Sequence, residues 1–194
     1  MKNLILIALL CITFGANAQS AKPIDGFLGI KFGSSSAQVI EAVKAKGGVV
    51  NAGQTATTVA FSNLSLGGRK VALFYVNFVN DKAFEAVFNF RADLEAKTID
   101  YYNALAKDIN GVYGEGKPYK DFKQPYSDGD GYEITAIKTG NATYETSWID
   151  GENKAWISIV SYKDIPLVVR LIYSDGKLIQ AFKDQQKEKN KSEF

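Results

Sequence analysis

Four aromatic residues, Tyr119, Phe122, Tyr126 and Tyr132, fall in one short stretch and alternate with Lys117, Lys120, Asp121 and Lys123. Rings on a charged surface segment suit recognition, because tyrosine offers a large contact area for little rotamer entropy. These four are the candidate binding residues. The same composition also fits a second reading, in which the rings fold back as a lid over the core. In the same stretch Asp128, Gly129, Asp130 and Gly131 echo an oxygen-rich cation loop. With Asp128 in first place, Tyr132 and Glu133 stand where such a loop needs Asp or Asn and then Gly. With Asp130 in fifth place, Ile137 stands where the bidentate Glu belongs. The segment therefore reads as an Asp-Gly turn, and no metal site is expected.

Catalytic options are narrow. The chain has no histidine, and its one cysteine, Cys11, lies in the N-terminal apolar run. Lys2 followed by the nearly all apolar residues 4–14 and by Ala16, Asn17 and Ala18 has the order of a secretory signal cleaved after Ala18. That run is too short for a bilayer, which needs about 20 residues. Leu10 precedes Cys11 where a lipid-modification box needs a small side chain, so no lipid anchor is expected. Residues 19–194 then hold neither His nor Cys. Ser-His and Cys-His nucleophiles are excluded there, and zinc, haem and iron-sulfur sites lose their usual ligands. Carboxylate, tyrosine and lysine chemistry remains, but linear order does not say which carboxylates converge. The glycines at 26, 29, 33, 47 and 48 have no phosphate-loop context. No catalytic residue and no cofactor are expected.

The expected location is outside the cytoplasm, periplasmic or extracellular, with no membrane span in the mature form. Without thiols there is no disulfide framework, so the fold must rest on its apolar core. Removing Lys2, the leader's only charge, takes the net charge from +2 to +1, which gives no electrostatic footprint for nucleic acid.

The elements that would position these residues follow from periodicity. Phe27, Leu28, Ile30 and Phe32 form an apolar ribbon. Ser35 with Gln38 makes a capping box for a helix that buries Val39, Ile40 and Val43 and stops at Gly47. Residues 57–62, 69–78 and 83–90 alternate as strands, with Phe84, Ala86, Phe88 and Phe90 on one face. Phe74, Phe84, Phe88 and Phe90 are the residues that would line an apolar pocket. Residues 97–113 repeat at three to four and predict a second helix ending at Gly114; residues 115–131 predict a long loop. Strands are predicted at 132–138, 142–149, 155–162 and 167–174. Asp150-Gly151 makes a hairpin turn that brings Trp148 and Trp156 face to face. Leu178, Ile179 and Phe182 suggest a short last helix before a charged tail, 183–194.

Runs of strands separated by helices without βαβ alternation predict an α+β fold, antiparallel sheet packed on helices. A single domain at 19–182 is expected, whose halves, 27–92 and 97–175, repeat a helix followed by three or four strands. One continuous sheet or two tandem sheets would both satisfy the pattern. The run GIKFGSSSAQVIEAVKAKG and the helix end Val112-Tyr113-Gly114-Glu115-Gly116-Lys117-Pro118 resemble the corresponding parts of secreted beta-lactamase-inhibitor-like and SmpA/OmlA-like domains. That resemblance implies a fold and an exported compartment. Taken together, the expectation is a non-enzymatic module binding a protein or peptide in the cell envelope, through a sheet face or the 115–131 segment. The alternatives are a small-ligand binder for a lipid or carbohydrate and a carboxylate-based hydrolase; the oligomeric state is left open.

Overall fold

A computed structural model describes residues 21–163 and 165–191. The expected leader, residues 1–18, lies outside the described residues. The chain opens with a two-stranded ribbon, β1 (Gly26–Phe27) and β2 (Ile30–Lys31), turned by Leu28 and Gly29 at positive φ. Helix α1 (Ser36–Lys44) follows. Its capping box closes as the sequence predicts: the Ser35 hydroxyl accepts from the Gln38 N–H at 3.3 Å, and the Ser35 N–H donates to Gln38 Oε1 at 2.9 Å.

Then come β3 (Val49–Val50), β4 (Thr58–Ser62), β5 (Leu64–Leu66), β6 (Arg69–Val71), β7 (Leu73–Val79) and β8 (Lys82–Phe90). Helix α2 (Thr98–Tyr113) leads to β9 (Lys117–Phe122), α3 (Glu133–Lys138), β10 (Ala142–Asp150), β11 (Asn153–Tyr162), β12 (Ile165–Ser174) and α4 (Gly176–Lys191). Eight strands form one antiparallel sheet in the order β3-β4-β7-β8-β12-β11-β10-β9. The order reads the same from either end. Each half is a helix followed by four sheet strands, and the two fourth strands, β8 and β12, meet antiparallel at the centre. The fold is α+β with one continuous sheet.

One face of this sheet packs on α1, α2 and α3. Phe61, Phe74, Phe88 and Tyr173 cross it as an aromatic row over β4, β7, β8 and β12, with centroid separations of 5.3, 4.3 and 6.1 Å. Each such pair adds about 0.5–1.5 kcal/mol beyond its burial, so the row ties the two halves together. From α1, Val39 and Val43 are fully buried; from α2, Tyr102, Leu105 and Ile109 enter the same core. Tyr102 and Thr146 share a buried hydroxyl–hydroxyl bond at 2.7 Å.

Several elements differ from the sequence reading. The predicted strand at 69–78 is two strands: β6 pairs with β5 in a separate hairpin, and the chain re-enters the main sheet only at β7. The 115–131 segment is not one loop, since β9 adds to β10 as the edge strand. Residues 133–138 are helical, not extended, because Ile134 and Ile137, three apart, both reach the core from one side. A bulge displaces Phe84: Asn77 pairs with Glu85 and Phe78 with Ala83, leaving Phe84 as the extra residue. It leaves the face of Ala86, Phe88 and Phe90 and stacks instead on Phe182 of α4 at 5.0 Å. The last helix is longer than predicted, running from its Asp175 cap, which accepts from the Leu178 N–H at 2.9 Å, to Lys191. Among the described residues no helix is long and apolar enough to cross a membrane.

Candidate binding face

The four aromatic candidates do not form one cluster. Tyr119 pairs with Glu145 and Phe122 with Ala142 across β9 and β10. Alternation sends Tyr119 to the face away from the helices, 56% exposed, and Phe122 to the helix side, where its ring meets Tyr144 edge-on at 5.8 Å. Tyr126 is half-buried beyond the cis Gln124–Pro125 bond, and Tyr132, 64% exposed, begins α3. Asp130 turns the chain between them by accepting from the N–H groups of Ser127 (2.8 Å) and Tyr132 (2.7 Å). Asp128 is engaged by Lys120 Nζ at 3.1 Å and by the Tyr144 hydroxyl at 3.3 Å. Among the described residues no group of three or more His, Cys, Asp or Glu is placed to hold a metal ion.

The tryptophans also separate. The turn pairs Asp150 with Asn153, so Trp148 opposes Ala155 and Trp156 opposes Ser147. An offset of one residue puts the two indoles on opposite faces. Trp148 is buried on the helix side, its N–H donating to Asn110 Oδ1 and the Gly114 carbonyl, both at 3.0 Å. Trp156 lies half-buried on the other face, with the Lys154 ammonium 4.8 Å from its ring centroid. Phe74, Phe88 and Phe90 are fully buried in the packed core, and Phe84 sits on the opposite face, so these four rings do not line a pocket.

What the sheet assembles instead is the face left uncovered by α1, α2 and α3. Among the described residues the element that crosses it is α4, at the end near Phe84. Its centre carries a polar network where the two halves meet. The Thr58 hydroxyl donates to Asn77 Oδ1 at 2.9 Å, Asn77 Nδ2 donates to Glu85 Oε1 at 2.7 Å, and Arg170 Nε donates to Asn89 Oδ1 at 3.1 Å. The Arg170 guanidinium lies 5.4 Å from the Tyr162 ring centroid. Burial pushes the Glu85 carboxyl above its ordinary range, with the Asn77 bond and the Arg170 charge pulling the other way. Burial likewise raises the Tyr75 hydroxyl, opposed by Arg170. Glu85 is the only described carboxyl raised in this way, and its hydrogen-bond partner is an amide rather than a second carboxyl.

No family model, no curated protein and no solved structure matches this chain.

A second concavity, about 520 Å³, opens on the helix side between the β1–β2 ribbon, the β5–β6 hairpin and α2. Its lining includes Phe27, Leu66, Leu105, Ile109, Leu171 and Tyr173. Arg69 guards its rim, bound to Asp108 at 2.6 Å and stacked 5.0 Å from the Tyr101 ring centroid. Burial, together with the neighbouring Tyr113 hydroxyl, drives the Tyr173 hydroxyl far above the ordinary tyrosine range, so both stay protonated hydrogen-bonding groups at neutral pH. Sequence reasoning singled out neither this groove nor the polar network. The signal for the network was present: Asn77, Glu85, Asn89 and Arg170 interrupt otherwise apolar strands at alternate positions.

Proposed function

We propose that this chain is an exported binding module of the cell envelope that engages a protein or peptide partner on the uncovered face of its sheet. The observation that carries this reading is the composition of that face. Tyr75 and Trp156 are half-buried there, Tyr119 and Tyr162 are more exposed, and Asn77, Asn89 and Arg170 interleave with them. Aromatic rings and an arginine set on rigid strands supply contact area at small entropic cost, the composition of interface anchors. The order of residues 1–18 supports export, as does the resemblance of residues 29–47 to secreted domains.

A second reading has its own observation. The groove of about 520 Å³ is of the size and apolar character that holds a small amphipathic ligand, such as a lipid.

The two separate in one experiment. The protein is immobilised and exposed to envelope extract, alongside a triple variant of the open face (Tyr119→Ser, Trp156→Ser, Tyr162→Ser) and a double variant of the groove (Leu66→Ser, Val112→Ser). Retention of one partner by wild type and the groove variant, with loss in the open-face variant, supports the first reading. Retention by the open-face variant sinks it, and lipid co-purifying with all but the groove variant favours the second.

A further inference from the structure

At the end of the open face away from α4 lies a cavity of about 390 Å³, whose walls include Leu73, Tyr75, Asn89, Arg91, Tyr162 and Arg170. Two cations of one sign face this space. Arg170 is half-buried, and burying a guanidinium costs free energy unless its donors are engaged. Of its five N–H donors, Nε–H is held by Asn89 and the Tyr75 hydroxyl is a further hydrogen-bonding neighbour, while the plane is packed against Tyr162, which leaves donors over for a ligand. Among the described residues no carboxylate lies within 4 Å of it, in contrast to Arg69, which is matched by Asp108 at 2.6 Å. The carboxylate that acts on it from a distance, Glu85, is taken up by Asn77. Arg91, at the mouth of the cavity, is exposed and has no ion pair or hydrogen bond among the described residues. The remaining wall, from Leu73, Ile165 and Val168, is apolar.

We propose that this cavity receives a carboxylate side chain of the bound partner, clamped by the Arg170 fork and steered by Arg91, with an adjacent apolar side chain resting on Leu73, Ile165 and Val168. The assignment rests on the open face being the partner surface. A guanidinium fixed through Nε presents its terminal N–H groups in the geometry that pairs bidentately with a planar carboxylate. The apolar wall from Leu73, Ile165 and Val168 favours a carboxylate carried on a side chain, because a phosphate ion brings no apolar group to rest on it.

The test titrates the 15N-labelled protein with acetyl-Leu-Glu-Leu-amide, with its Gln counterpart and with inorganic phosphate, following backbone amide shifts. The expected result is saturable shifts on β7, β8 and β12 around Tyr75, Asn89 and Arg170, with the Gln peptide about ten- to a hundredfold weaker. Arg170→Gln produces a similar loss and Arg170→Lys a partial one, while Arg91→Gln costs at most about fivefold. The Glu-to-Gln comparison uses the unaltered protein, so it stands even where a variant misfolds. Equal binding of both peptides at this face overturns the carboxylate assignment while leaving the partner surface in place. Tighter binding of phosphate also overturns it, and shifts confined to the helix-side groove overturn both.

Discussion

Gly116 joins α2 to the edge strand β9, and a methyl group there tests how firmly the second half of the fold is locked. A Cβ at this position would lie 2.5 Å from Trp148 Cε2, 2.7 Å from Trp148 Nε1 and 2.8 Å from Thr146 Cγ2. The backbone is outside the left-handed region, so alanine meets a collision and no torsional strain. The indole has nowhere to retreat: it is 3% exposed, and its N–H is held by Asn110 and by the Gly114 carbonyl. Asn110 Oδ1 also accepts the Gly116 N–H at 3.0 Å, so one displaced ring disturbs three bonds. Overpacking of this kind costs about 1–3 kcal/mol, and each strained or lost hydrogen bond about 0.5–1.5 more. We expect Gly116→Ala to lower the unfolding free energy by about 2–5 kcal/mol. Urea denaturation followed by far-ultraviolet circular dichroism measures this, with the slope unchanged from wild type. Replacing Trp148 by Ala removes both colliding ring atoms, so Gly116→Ala should cost less in that background, giving a coupling above about 0.5 kcal/mol. A single variant within about 0.5 kcal/mol of wild type, or strict additivity in the double variant, refutes the reasoning.

Two further outcomes follow from the open face. Burial raises the Glu85 carboxyl in the folded state, so the fold binds more protons than the unfolded chain once pH exceeds the ordinary carboxylate value of about 4.3. This group's contribution to stability therefore falls as pH rises from there through the folded value. Glu85→Gln should abolish that decline, measured as the difference between wild-type and variant stability across pH; parallel profiles would rule it out. Helix α4 has no fully buried residue and is anchored by the Phe182–Phe84 stack. Phe182→Ala should weaken its docking by about 1.5 kcal/mol, seen as roughly tenfold faster amide hydrogen exchange over residues 180–191 while β8 and β12 keep their protection. Unchanged exchange in α4 would show that the stack is not its anchor.

Local features were legible from the chain alone. The Ser35–Gln38 capping box, the Gly47 and Gly114 helix ends, at φ of 86° and 81°, and the hairpin turn at Gly151 depend on neighbours a few residues apart. Their side chains and backbone groups satisfy each other whatever the rest of the fold does. The two-part order of helices and strands was legible for the same reason, since periodicity of 3.6 or 2 is a local property. Absence of His and Cys from residues 19–194 likewise narrowed the chemistry before any fold was considered.

Facing was decided only by tertiary structure. One residue of register places Trp148 in the core and Trp156 on the open face, and one bulge carries Phe84 from the side of Phe88 to that of Phe182. Strand pairing also turned the apparent 115–131 loop partly into an edge strand, because β10 supplied hydrogen-bond partners that the segment lacks by itself. The polar network needed β8 and β12 to meet. Asn89 and Arg170 lie 81 positions apart and become neighbours only because the fourth strand of each half pairs with the other. A contact of that separation depends on the whole sheet's register, which no local pattern encodes, and the candidate binding face is built from such contacts.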